Sequence, residues 1–274
     1  MIIDFHTHVF PDKIAKSTVD ALKEKSNGTA YTDATLLGLV SSMETAGINI
    51  SITSPVLTKS TQFDRVTQNV LEINNKLDYD GKKIISFAGM HPDCEDIEGK
   101  IKHLAELGFM GIKIHPDYQQ TNFNDEKYIK IIKCAKEHDL IVLTHAGVDN
   151  GYKDYPIRCT PDMVLDVYSK VPYNKLVLAH YGAHKMWEEV YDKLCGLDLY
   201  FDTAFSLHQI DEKLFKKILE KHGADKILFA TDSPWSDQKE YVKIIKSFNL
   251  GKETEDKVFY KNALKLLNLT EKNI

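Results

Sequence analysis

The chain has 274 residues, 43% hydrophobic and 27% charged, the balance of an ordinary globular protein able to bury a large core. Net charge is −5 with histidine neutral, and no long single-sign run is present, which excludes an electrostatic case for nucleic acid or an anionic membrane as partner. No apolar stretch approaches the roughly 20 residues that span a bilayer.

The N-terminus, MIIDFHTH, reads as a strand that begins at once, with no basic region or cleavage site of a secretory leader. The four cysteines, Cys94, Cys134, Cys159 and Cys195, are far apart in sequence and form no CxxC pair. They predict free thiols in a reducing compartment, and the cytoplasm is the expected location.

In chain order, short β-branched and apolar runs alternate with longer amphipathic stretches. The runs are IIDF at 2–5, INISITSP at 48–55, IISFAGM at 84–90, FMGIKIH at 109–115, LIVLTH at 140–145, KLVLAH at 175–180, LDLYFDT at 197–203 and KILFATD at 226–232. Near-continuous apolar runs suit parallel strands buried on both faces. After the first run, residues 9–34 are long for a loop. They are expected to hold a short helix over 13–25 and to lie over the mouth of the fold, as lids do.

The stretch 35–47 has helical spacing and closes on Gly47, a suitable C′ glycine. The stretches 125–139 and 211–223 carry acids in their first turns, and 162–171 follows Thr160-Pro161, a cap and first-turn pair. A last outer helix is expected over 254–269. Eight βα units in 274 residues predict one domain, an α/β chain closed as a (β/α)8 TIM barrel. No GxGxxG follows the first run, which argues against a dinucleotide-binding sheet.

The chemistry sits where the runs end. The first closes on His6-Thr7-His8, the fourth on Lys113-Ile114-His115, the fifth on His145, the sixth on His180 and the eighth on Asp232. Barrel strands converge at their C-terminal ends, so these residues are expected to meet. Alternation by two puts Asp4, His6 and His8 on one face, and Lys113 with His115 on another. A catalytic metal takes about three protein ligands and keeps a position for water. His6, His8 and His145 supply nitrogen, Asp232 a carboxylate, and some of this set is left to support the others. Asp4 is either a hydrogen-bond acceptor for a ligand histidine or a strand-start acid bonded to backbone.

Arg158 in the loop at 149–161 is a candidate partner for a substrate carboxylate. His91, after the third run, and Trp235 are candidates for the pocket wall, with His184 and Trp187 as weaker ones. His138 and His222 lie near helix C-termini, where a cation suits the dipole.

The pieces IDFHTHVFPD at 3–12, GIKIHP at 111–116, VLTHAG at 142–147, LAHYGA at 178–183 and FATDSPW at 229–235 resemble the amidohydrolase superfamily. The likeness is to the branch that holds aminocarboxymuconate-semialdehyde decarboxylase, resorcylate decarboxylase and pyrone-dicarboxylate lactonase. It implies His6, His8, His145 and Asp232 as ligands of one zinc, with manganese or iron as variants. It implies Asp232 as acid/base and His180 as the polarising partner. Lys113 and His115 leave a second metal or a substrate contact open.

The chain is short for the decarboxylases, which favours a hydrolase. Such an enzyme would open an amide or lactone of a small carboxylate-bearing molecule with a metal-activated water. Non-oxidative decarboxylation of a small aromatic or enoic acid at the same site is the alternative. A homodimer is plausible on this reading.

Overall fold

A computed structural model describes residues 1–76 and 78–270. The strands fall where the runs predict them: β1 Ile3–Thr7, β2 Ile50–Thr53, β3 Lys83–Ser86, β4 Ala88–Gly89, β5 Gly111–Ile114, β6 Ile141–Thr144, β7 Leu176–Leu178, β8 Tyr200–Asp202 and β9 Ile227–Leu228. All neighbours pair parallel, β1-β2-β3 in one sheet and β4 through β9 in order in the other.

The third run thus becomes two short strands, interrupted only at Phe87. Its N–H still donates to the Thr53 carbonyl at 2.9 Å, and the Met90 N–H donates to Lys113 at 3.0 Å, so the hydrogen-bonded wall continues across the break. The last run returns to the first. Phe5 N–H donates to the Phe229 carbonyl at 2.9 Å, and Asp232 N–H to the His6 carbonyl at 2.8 Å. Thr7 and Ser233 form a parallel bridge. These bonds complete the ring of a (β/α)8 barrel.

The helices are α1 Asp12–Ser26, α2 Leu36–Ala46, α3 Phe63–Asn75, α4 Ile97–Glu106, α5 Glu126–Glu137, α6 Pro161–Lys170, α7 Trp187–Lys193, α8 Glu212–His222, α9 Gln238–Ser247, α10 Lys252–Asp256 and α11 Asn262–Leu266. Their starts follow the local chemistry. Thr35, Asp125, Thr160, Asp211 and Asp237 each accept a hydrogen bond from a first-turn N–H, satisfying a donor the helix itself cannot. Gly47 takes the left-handed conformation after α2, where a side chain would be strained. The single helix expected over 254–269 is α10 and α11 joined by a wider turn at Lys257–Lys261.

Ile3, Phe5, Ile50, Ile52, Ile85, Phe87, Ile141, Leu143 and Val177 form a buried cluster with Ala263, Leu264 and Leu266 of α11. A larger cluster joins the strands to the surrounding helices. The polar strand ends stand at the rim of this apolar body. No helix among the described residues is long and apolar enough to cross a membrane.

Candidate metal centre and its cavity

At the C-terminal rim, the ligand atoms of His6, His8 and Asp232 lie within 4.8 Å of one another. His8 Nε2 is 3.1 Å and His6 Nε2 3.5 Å from Asp232 Oδ1. His6 is oriented from behind: its Nδ1 is 3.0 Å from Asp202 Oδ2. Asp202 in turn accepts from the N–H groups of His180 and Ala204 through Oδ1, at 3.0 Å each. With Nδ1–H donated to a carboxylate, His6 keeps its Nε2 lone pair for the rim, the arrangement that orients metal-binding imidazoles.

Burial and the Lys113 charge hold His6 well below the ordinary imidazole range, so the ring is neutral. Burial alone would raise Asp232. The hydrogen bond from His8, aided by the polarity of the surrounding imidazoles, outweighs it and holds the carboxyl below the usual range. Two imidazole nitrogens and a carboxylate grouped at the rim are a donor set that fits a divalent cation.

Lys113 is fully buried with Nζ 2.9 Å from His6 Nε2, on the lone pair a metal would use. Burial lowers its pKa to about 8 against the pull of Asp232 and Asp202. Its ammonium therefore gives up its proton more readily than an exposed lysine does.

His145 is not within this trio. His180 Nδ1 lies 2.9 Å from the Ala204 carbonyl, which makes it the donor. His180 Nε2 is then an acceptor for His145 Nδ1–H at 2.9 Å. The remaining His145 Nε2 lone pair faces Asp117 Oδ2 at 3.7 Å, and neither atom has a hydrogen-bond partner among the described residues. Burial raises the Asp117 carboxyl to about 7, with repulsion from Asp149 adding to it. His145 instead groups with His115 and Asp149, whose ligand atoms also lie within 4.8 Å of one another. His115 stacks on it at 4.3 Å and 10°.

A cavity of about 250 Å³ opens on the rim. His6, His8, Lys113, His115, His145, His180, His184, Asp232 and Trp235 border it, with Phe10, Tyr118, Phe205 and Val148 among the aromatic and apolar neighbours. Arg158 and His91 do not line it. The Arg158 guanidinium donates to Asn122 Oδ1 at 3.3 Å, outside the wall. His91 Nδ1 accepts from the Asp93 N–H at 3.1 Å.

Asp4 does not reach a ligand imidazole. Its carboxylate accepts from Thr231 Oγ1 at 2.6 Å, Gln238 Nε2 at 2.7 Å and Thr231 N–H at 3.0 Å. The pairing of β1 with β2 slips register between Asp4 and Thr7, so strict alternation fails across His6.

Three further acids stand at the site, Asp117, Asp149 and Asp202. Asp202 carried the same signal as Asp232, an acid closing a β-run. Asp117 and Asp149 lie two and four residues past strand-end histidines in loops, where only the fold brings them back to the rim.

The chain matches the Amidohydrolase family model over residues 3–269. It belongs to the amidohydrolase family. This amidohydrolase-type enzyme carries a site of the kind that binds a divalent metal. At the sequence level no curated protein matches it.

Among the solved structures that share its fold at full length are three decarboxylases. A 2,6-dihydroxybenzoate decarboxylase from Rhizobium matches with a TM-score of 0.70 at 16% identity, covering 97% of this chain and 98% of that one. A 5-carboxyvanillate decarboxylase from Sphingomonas paucimobilis matches at 0.71 and 13%, covering 98% and 99%. A dihydroxybenzoic acid decarboxylase from Polaromonas, with bound manganese and the inhibitor 2-nitroresorcinol, matches at 0.71 and 16%, covering 100% and 98%. The alignments leave at most 2% of those chains uncovered, so chain length does not separate this protein from decarboxylases.

Proposed function

We propose that this amidohydrolase is a metal-dependent, non-oxidative decarboxylase of a small hydroxylated aromatic acid, with residues 9–34 acting as a lid. The carrying observation is the buried carboxylate of Asp232, set between His6 and His8 at the edge of a small cavity bordered by Phe10, Tyr118, Phe205 and Trp235. A flat ring suits such walls, and a proton carrier beside its carboxylate is what ipso protonation needs. Full-length likeness to decarboxylases of hydroxybenzoates supports the same chemistry. It favours decarboxylation over the amide or lactone hydrolysis that brevity suggested.

Of the expected ligands, His6, His8 and Asp232 would hold the cation. Manganese is the first metal to test, since it is bound in the Polaromonas enzyme. When bound, the cation would supply a Lewis acid for the substrate's oxygens. The protein moves the proton. Asp232 takes it from the phenol and returns it to the ring carbon that bears the carboxylate. The ring electrons form the new C–H bond and the phenolate becomes a ketone. The C–C bond then breaks, carbon dioxide leaves, and the bonding pair restores the aromatic phenolate, which takes a proton from solvent. His180, fixed through its Nδ1 by Ala204, stands beside His145 to position the oxygen substituents.

Manganese-loaded protein incubated with 2,6-dihydroxybenzoate and a panel of hydroxybenzoates should release carbon dioxide and the matching phenol. Asp232→Asn should slow this by about 10²-fold or more. Acid release from a lactone or amide panel, with no carbon dioxide from any hydroxybenzoate, would reverse the assignment in favour of hydrolysis.

A further inference from the structure

His184 carries no role in the chemistry above, yet its situation demands one. It is 2% exposed, and neither Nδ1 nor Nε2 has a hydrogen-bond partner among the described residues. A buried imidazole left without partners costs stability, and folds rarely keep one without cause. The side chain borders the cavity. Burial, with the nearby charges of His180 and Lys185, lowers its pKa to about 3, so the ring is neutral, with one donor and one acceptor nitrogen.

Its position is also held tightly. His184 N–H donates to the Ala146 carbonyl at 2.9 Å, and its own carbonyl accepts from Val148 N–H at 3.0 Å. Between them Gly147 makes a parallel bridge to His184 and sits at φ +86°. A Cβ at Gly147 would fall 2.1 Å from the His184 nitrogen, so only glycine allows this contact. The ring packs edge-on to Trp187 at 5.7 Å and 88°, and lies 5.5 Å from Phe205. The backbone and two aromatic neighbours thus fix an unpaired imidazole at the wall of the site.

The rings form a series. His6 to His180 is 5.7 Å between centroids, and His180 to His184 is 5.9 Å. A ligand anchored at the trio and lying along this series would reach past His180 toward His184. The polar substituent that remains for His184 is a ring hydroxyl, which can satisfy either a donor or an acceptor nitrogen. We infer that His184 is a recognition residue that hydrogen-bonds a ring hydroxyl of the aromatic ligand. This rests on the decarboxylase reading for the ligand class, but the residue's assignment can fail separately.

Calorimetric titration of the manganese-loaded protein with 2-nitroresorcinol tests it, using wild type, His184→Leu and His184→Gln. The Leu variant should bind about tenfold more weakly or worse, since an oxygen loses its buried partner. Gln keeps a donor and an acceptor and should recover most of the loss. Manganese affinity should not change, and the melting temperature of the Leu variant should equal or exceed that of wild type, because an unpaired polar group has been removed. Equal 2-nitroresorcinol affinity in wild type and Leu variant overturns the role of His184 while leaving the decarboxylase reading intact. A Leu variant that melts well below wild type or loses manganese overturns it in favour of a structural role. Wild type that binds no 2-nitroresorcinol, resorcinol or hydroxybenzoate overturns both.

Discussion

At the scale of single residues, the same side chain serves opposite ends according to its surroundings. His222 ends α8, where a cation suits the helix dipole, and the sequence suggests a charged ring there. The structure corrects this. His222 is buried, Nδ1 accepts from Gly196 N–H at 3.2 Å, and Nε2 donates to the Leu199 carbonyl at 3.1 Å. It stacks on Phe201 at 3.9 Å. Only the neutral ring satisfies that geometry, and burial lowers its pKa to about 4. The unfolded chain therefore binds this proton first on acidification. The stability from the neutral ring is complete above about pH 6.5 and is lost as pH falls from 6.5 to about 4, amounting to roughly 3 kcal/mol. His222→Gln retains a donor and an acceptor but does not titrate. Urea unfolding across that window should show a flatter pH dependence in the variant; an unchanged slope would assign the acid sensitivity elsewhere. His6, His8 and Asp232 were legible because a strand end fixes where such residues go. His145 reaches the same cavity, as its strand end predicts, but the direction of its ring was not legible, because that is set by His180 and, through it, by the Ala204 carbonyl. Arg158 drew notice as a cation near the rim, but the loop directs it to Asn122.

Elements differ in how firmly they are held, and α1 is lightly held for its length. The periodicity over 13–25 was plain in the sequence, since the helix runs Asp12–Ser26, but its purpose lies in what it covers. Thr18, Leu22 and Ser26 border the cavity, while only Ala15 and Val19 of this helix are buried. Its N-terminus has no side-chain cap. Little apolar burial and an uncapped end mean a low cost of local opening, in keeping with the lid proposed for residues 9–34. Lys25 tethers its far end, with Nζ 3.4 Å from the centre of the Tyr152 ring and 5.1 Å from that of Tyr118. A contact of this kind at an exposed site contributes about 0.5–1 kcal/mol. Lys25→Ala should therefore speed amide hydrogen exchange in α1 a few-fold, while β6 and α5 keep their rates. Exchange at the wild-type rate in α1 would show that this contact does not hold the helix down. The strands were easier to place than their breaks. The interruption at Phe87 and the register slip in β1 are local adjustments of pairing that apolar periodicity does not encode.

For the molecule as a whole, the decisive feature is the seam between its first and last strands. Every other strand pair joins neighbours in sequence, whereas this one closes a loop of more than two hundred residues, the costliest contact in chain entropy. Asp4 fastens it. Four donors converge on its carboxylate, namely Thr231 N–H, Thr231 Oγ1, Gln238 Nε2 and His6 N–H, the last at 3.4 Å. Burial nonetheless pushes its pKa up to about 7, so desolvation opposes the charge those donors favour. Asp4→Ala would leave buried donors of Thr231 and Gln238 unpaired and should destabilise the fold by about 3 kcal/mol in urea titration. Asp4→Asn preserves one acceptor oxygen and should lose less. The seam also carries the site, because Asp232 N–H is bonded to the His6 carbonyl and His8 N–H to Ser233. Loosening it separates the carboxylate of the last strand from the imidazoles of the first. Manganese affinity should therefore fall in Asp4→Ala even at temperatures where the protein remains folded. An Asp4→Ala protein with wild-type manganese affinity would show that the trio keeps its geometry without the fastening, and that the ligands are positioned strand by strand.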